Sequence, residues 1–551
     1  MLATVARKTH VSAAPQTAAR KSGPKAEGSD RFEPGVLGTL QLSYLPQDQG
    51  MIAPQLGEVV ASSKMANDRF QLSVGTGFPK ISPDSEGKVV VEDENDPRFD
   101  SSNCFYIANQ TLGVAEKYAG GRIDWSFQES LGHPMLIKPH AGKDTQNAYY
   151  NPQSGSLNFF SYLDEKTGER QRTGMSRDIV SHETGHAILD GLRPRYMESL
   201  SVGAGGFHES FADMMAMLSA LNDEHVIEAL RVQTKGDLSQ PNLVSGIGEQ
   251  LGASCFDKGP LREAINKHKY ADQAFLPLTD ANNPAHGLGS ECHSYANLFN
   301  GAFYDAFLAF YNQASSQPGA DFAASVAEAR DKVGKLLLRA VEMGPVGDIS
   351  YREAAMAFLR ADQIDNQGAN QETLSKVFVD RKIIRPEDAE AVANEEVPEL
   401  KWSNKLESAD TALDWLNDHR EALGLPAELE FEFDKVRTNE TGERFVQFSS
   451  SRDQLLEGPG FGDYEGSQIR AHGGVLLGFD GEGQLFTFNH DEITDREMED
   501  TTAFFQVNNE AGQIMRATGQ GQSWTRNGKP KLQVESVMVN GRQVLRRGGV
   551  I

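Results

Sequence analysis

Cysteine is scarce: Cys104, Cys255 and Cys292 are the only three in 551 residues. A secreted disulfide framework would use a larger, even set, so these thiols read as free. Long apolar runs are missing too, and without a stretch of 18 such residues no membrane-spanning segment is expected. Positive charge is outnumbered, with 53 Lys and Arg against 78 Asp and Glu and a net charge of −25. A phosphate backbone would be repelled and no basic stripe is present, which argues against a nucleic-acid partner. Residues 1–34 carry Arg7, Lys8, Arg20, Lys21 and Lys25 but no apolar core of a secretory signal, so they read as a disordered basic tail. The compartment expected by default is the cytoplasm, with leaderless export as the other route.

Against these absences stands one pentapeptide. His182, Glu183, Thr184, Gly185 and His186 form an HExxH sequence. On a helix, residues four apart lie one turn above each other. His182 and His186 can then present two neutral imidazoles to one zinc ion, with Glu183 beside them as base for a metal-activated water. Ser176 suits the start of that helix, and Gly191 and Pro194 its end. Gly185 in mid-helix costs about 1 kcal/mol against Ala, which implies close packing there.

A catalytic zinc site takes three protein ligands and keeps one position open. The next helical stretch, from Phe207 to Leu218, puts Glu209 and Asp213 on one face, four residues apart. Phe207, Phe211, Met214 and Met217 bury that helix. Glu209 can therefore bind the metal while Asp213 accepts the outer N–H of a ligand histidine and fixes its tautomer. Glu198 and His208 compete for the third place, but His208 points about 100° away from Glu209.

Together these residues resemble the thermolysin-like zinc metalloproteases. HETGH followed by HESFAD is similar to that family's HExxH followed by ExxxD. The resemblance covers roughly residues 95–385. It implies a zinc endopeptidase in which His182, His186 and Glu209 hold Zn²⁺, Asp213 orients a ligand and Glu183 is the base. It further implies that His293 and Tyr196 stabilise the oxyanion. Asn147 and Ala148 would lie on an edge strand that pairs with the peptide, and Arg262 would hold a substrate carbonyl. The chain also departs from the family. Leu288 stands where the family has the Asp that orients the histidine, leaving Glu291 as the nearest candidate. Ala220 and Gly246 replace acids of the paired calcium site, while Asp178 and Glu249 remain, so calcium is expected at most in part.

Short extended runs such as Leu40–Tyr44 and Phe70–Val74 make residues 35–171 a β-rich lobe carrying the edge strand. Residues 172–395 read as a helical lobe with the zinc site, on stripes such as Tyr295, Leu298, Phe299, Ala302, Phe303, Ala306 and Phe310. His140 reads as structural. An acidic stretch between Pro386 and Pro398 reads as a hinge or short helix. Residues 396–551 show a helix and then a strand meander, a small α+β domain that loosely resembles the cystatin-like propeptide of the same family. Such a module could contact the catalytic cleft. The expected class is α+β: a two-lobed catalytic part with an accessory domain. The function expected is hydrolysis of internal bonds in a protein or peptide substrate. Its rival is a catalytically weak or inactive metal-bearing binding protein on the same scaffold. An aminopeptidase would need an acidic anchor for the substrate amine, and no Gly-x-Met-Glu-Asn type segment is found.

Overall fold

The computed structural model describes residues 32–256, 259–270, 288–402, 408–517 and 532–548. The basic tail therefore lies outside the described residues up to position 31, and the Cys255 side chain lies outside them as well. The fold is mixed α+β. Among the described residues, no helix is long and apolar enough to cross a membrane.

Two sheets lie in the first part of the chain, with the buried helix Pro97–Tyr118 between their strands in sequence. Leu37–Tyr44 pairs antiparallel with Gln55–Ser62 and parallel with Lys88–Val89. The other sheet runs Phe70–Leu72, Met135–Lys143, Ser156–Leu163, Ala148–Asn151, with Arg170–Arg172 added to Ser156–Leu163. Ala148–Asn151 ends that order, so one side of its backbone faces away from the sheet. His140 is structural, as expected, stacking on Phe78 at 3.9 Å and meeting the Pro97 carbonyl through Nε2.

Side-chain caps set the helices that carry the candidate site. Ser176 accepts from the Ile179 amide to open Arg177–Leu192, and Ser201 accepts from Ala204 to open Val202–Leu221. Glu291 accepts from Ser294 to open Cys292–Ser315. Every residue of Arg177–Leu192 is buried. Gly185 is required by contact: a Cβ there would lie 2.8 Å from the Ala212 Cα of the neighbouring helix. Helices Phe322–Met343 and Tyr351–Asn366 complete the bundle behind them. One apolar cluster runs through the β-rich part and the helical part together, from Leu40 to Ile384 and beyond.

The acidic stretch becomes helix Pro386–Ala393, and it is tied down. Asp388 pairs with Arg352 at 2.7 Å and Glu395 with Arg360 at 2.6 Å. The hinge half of that expectation gives way to the helix half, because Arg352 and Arg360 of helix Tyr351–Asn366 claim the acids. After it, the sheet is no plain meander. Its order is Glu432–Thr438, Arg444–Leu455, Gln468–Phe479, Arg542–Arg547, Leu532–Val539, Ile514–Arg516, with Leu485–Asp491 also on Gln468–Phe479. Two of the pairings are parallel. Helix Asp495–Glu510 packs on it.

This last unit is docked on the helices by charge. Arg339 forks onto Glu443 at 2.9 Å and Arg437 pairs with Glu342. Arg195 meets Asp434 at 2.9 Å, and Glu198 meets Arg546 at 2.6 Å. Lys435 donates to the Gly191 carbonyl at the end of the HExxH helix, and Arg547 donates to the Ser199 carbonyl. Asp491 accepts from the Val346 and Gly347 amides. Gly347 lies so close that a Cβ would sit 2.0 Å from the His472 carbonyl oxygen.

Candidate metal centre

The HExxH helix and the Glu209 helix cross at Gly185, and that crossing brings the ligand candidates together. Nε2 of His182 and Nε2 of His186 face each other at 3.0 Å. Glu209 offers Oε2 at 3.4 Å from the first and Oε1 at 3.8 Å from the second. Ligands sharing one tetrahedral zinc ion stand about 3.3 Å apart, given metal–ligand bonds near ~2.0 Å. Glu209 is 0% exposed, and neither of its oxygens has a hydrogen-bond partner among the described residues. A buried carboxylate that lacks a hydrogen bond, set beside two facing imidazoles, is costly unless a cation completes it. The donor set therefore fits zinc.

The supporting contacts follow. Nδ1 of His182 is 2.7 Å from Asp213. Asp213 also receives Nε of Arg262 at 2.5 Å, NH2 of Arg262 at 2.6 Å and Nδ2 of Asn300 at 2.7 Å. Burial would raise the Asp213 carboxyl, but Arg262 and His182 outweigh it and hold it at about 2. Asp213 is thus an ionised acceptor for the His182 N–H. Arg262, expected to hold a substrate carbonyl, commits two nitrogens to Asp213. Asn300 was not singled out from sequence. The available signal was its place two helical turns after His293, on the same face.

His208 loses its claim as a ligand and gains another place. Its Nδ1 lies 2.8 Å from Nδ1 of His186. Were Nε2 of His186 bound to a metal, its proton would be on Nδ1, where His208 could accept it. Burial pushes His208 down to about 3, so the ring is neutral and can accept. Replacing His208 with Phe is expected to weaken zinc binding by about 10–100-fold, as loss of such a partner typically does, while His208→Asn keeps an acceptor and loses less. Competition with a chromophoric chelator measures both. Glu198, the other rival ligand, is held by Arg195 and Arg546.

Glu183 is 5% exposed, and its Oε2 accepts from the Tyr150 amide at 2.8 Å. Burial lifts its carboxyl to about 7, against the pull of His182. The Tyr150 amide therefore points away from the partner strand. Alternation turns the Ala148 backbone to the same outward side. The Asn147 carbonyl accepts from Thr173 Oγ1 at 3.3 Å, which pins the strand's start.

His293 is oriented by Glu291. Their Nδ1 and Oε1 are 2.5 Å apart, and Nε2 lies 3.4 Å from Glu209. The carboxylate missing at Leu288 is supplied by the helix cap itself. Burial and then Glu291 push the neighbouring Cys292 thiol up, away from the thiolate a nucleophile needs. Tyr196 is a correction: it is 0% exposed and its hydroxyl donates to the Pro345 carbonyl at 2.7 Å. Helix Pro194–Glu198 has swung it into the core, against Phe207, so it is not brought to the oxyanion position.

A second acidic group lies under the same helix. Asp48, Asp178 and Glu249 bring carboxylate oxygens within 4.8 Å of one another. Asp178 and Glu249 are the calcium residues named by the resemblance. Asp48, from the first sheet's loop, was not foreseen. Burial, then mutual repulsion, pushes Asp178 and Glu249 well above the usual carboxylate range, and burial raises Asp48.

Compared with protein families and with curated proteins, the chain matches none.

Proposed function

We propose that this chain is a zinc-dependent metalloendopeptidase of the thermolysin-like kind, cleaving internal bonds of a protein or peptide substrate. The observation that carries the reading is Glu183. A structural zinc site has no use for a buried carboxylate fixed by a strand amide beside both imidazoles. Zinc, held by His182, His186 and Glu209, would polarise the scissile carbonyl and lower the pKa of water at the site. The outward backbone of Ala148 pairs with an extended peptide as an added strand. Glu183 takes the proton of the attacking water and delivers it to the leaving amine. Nε2 of His293, its other nitrogen tied to Glu291, donates to the developing oxyanion. Arg262 keeps Asp213 ionised, and through it orients His182.

Casein is expected to be cut internally, with activity lost to a chelator and restored by about one equivalent of zinc per chain. One observation favours the binding-protein reading, the withdrawal of Tyr196 from the site. Zinc retained without any cleavage would decide for it.

The acidic group under the helix is read as one hard-cation position, which calcium suits by its preference for oxygen. The linkage sign follows from raised carboxyls. Stability from such groups is full below the ordinary carboxylate range and is lost as pH rises through their raised values. Without calcium the melting temperature is expected to fall from mildly acidic to neutral and alkaline pH. Added calcium should restore it, and less so in Asp48→Asn. A calcium-independent melting curve over that range would remove the cation from this group.

A further inference from the structure

Asp190 lies in the last turn of the HExxH helix and is buried there. Its Oδ2 accepts from the Tyr150 hydroxyl at 2.7 Å and from Oγ of Ser126. The Tyr150 side chain is wholly buried, and the amide of the same residue donates to Oε2 of Glu183 at 2.8 Å. Tyr150 therefore has two anchors on one helix, Asp190 through its side chain and Glu183 through its backbone. A shift at the first anchor is felt at the second.

The positive charge that bears on Asp190 comes from the last unit. Strand Glu432–Thr438 brings Lys435 to the end of the helix, where its amine donates to the carbonyl of Gly191, the next residue. The helix end cannot shift freely there, since a Cβ on Gly191 would lie 2.6 Å from the Asp124 carbonyl oxygen. Burial pushes the Asp190 carboxyl up to about 6, while Ser126, Tyr150 and the Lys435 charge pull against it. Burial and Arg193 bring the Lys435 amine down to about 7, against Asp190, Asp434 and Asp124. Each charge thus supports the other. A hydrogen bond to a charged carboxylate is roughly twice as strong as one between neutral groups, so the Lys435 charge tightens the hold on Tyr150.

We propose that Lys435 is a positioning residue for peptide cleavage: it holds Asp190, Asp190 holds the Tyr150 hydroxyl, and the Tyr150 amide aims Glu183. The proposal rests on Glu183 being the base. Lys435 acts only through this chain of contacts, so the last unit takes part in turnover without placing an atom on the substrate. Misplacement of a reacting group by about 1 Å can cost 10²-fold in rate, and the loss falls on the chemical step.

The test is steady-state cleavage of an internally quenched peptide by full-length variants of equal zinc content. Lys435→Gln keeps a donor for the Gly191 carbonyl and removes the charge. It should lower kcat by about 10–100-fold with little change in KM, and Lys435→Arg should recover most of the loss. Tyr150→Phe takes the hydroxyl from Asp190 and leaves the amide on Glu183. If Lys435 acts through it, the two losses should not multiply, and the double variant should turn over like the slower single one. Glu443→Gln loosens the same unit elsewhere and should keep kcat. Wild-type kcat in Lys435→Gln, losses that multiply with Tyr150→Phe, or an equal loss in Glu443→Gln would each overturn the proposal. Wild-type kcat in Tyr150→Phe overturns it alone, even where Lys435→Gln does not fold. Wild-type turnover by Glu183→Gln would overturn the underlying reading of the base instead.

Discussion

Glu183→Gln is expected to retain zinc and to lose nearly all cleavage of casein. The substitution keeps shape and hydrogen-bonding capacity. The Tyr150 amide can still donate to the Gln carbonyl, as it does to Oε2 at 2.8 Å. The facing pair His182 and His186 and the Glu209 carboxylate are untouched, so metal content measured on the purified variant should equal that of the wild type. On the proposed reading, what disappears is the group that takes the proton and returns it. General acid–base catalysis is worth about 10²–10⁴-fold, and a base that serves both steps sits at the upper end. His293→Phe offers the contrast. Its loss should fall on kcat more than on KM, because its N–H meets a charge that exists only in the transition state. A Glu183→Gln protein that turns over at a wild-type rate would mean that another group moves the proton.

Removal of everything after Pro398 is expected to leave a chain that does not fold to a zinc-binding state. Sequence suggested an accessory module that could contact the catalytic cleft, and the docking contacts tie it to the helices instead. Truncation would strip Arg339 of Glu443, Glu342 of Arg437 and Glu198 of Arg546, and would take the Asp491 acceptor from two loop amides. Arg339 and Glu342 are at most 9% exposed along their side chains. Cutting also returns these charges to water, so the pairs themselves account for little; what is lost is the apolar surface that Phe445 and Leu476 share with the helical core, in a fold stable by only about 5–15 kcal/mol. Circular dichroism, melting temperature and zinc content of the truncated chain test this together. A folded, more active product would overturn this expectation and make the last unit an inhibitor of the site. A milder form, Glu443→Gln in the full chain, should lower the melting temperature without changing zinc stoichiometry.

The candidate metal centre was readable because helical spacing converts sequence separation directly into geometry. Four residues apart means one face, so His182 with His186 and Glu209 with Asp213 needed no tertiary information. Helix Cys292–Ser315 was legible for the same reason, from the stripe that runs from Tyr295 to Phe310. Tyr196 failed because its direction depends on how helix Pro194–Glu198 leaves the preceding one, and Pro345 claims its hydroxyl from 149 residues away. Asp48 and Asn300 carry no local pattern and become partners only when distant segments meet. The C-terminal sheet was misread at its parallel pairings, where Gln468 meets Val544. Such contacts leave no periodic trace in the chain, unlike the hairpin whose Gly483 takes a positive φ of 85°.

In the last turn of the helix bearing His182 and His186, the Gly191 carbonyl is held by Lys435 from far along the chain. On the proposed reading, that separation is also an interval of time. A ribosome adding about 5–20 residues per second takes on the order of ten seconds or more to go from one to the other. Throughout that interval the HExxH segment has no finished surroundings in which to close. A nascent chain that carries both histidines and the base still cannot cut its neighbours or itself, and protection during synthesis needs no separate inhibitor.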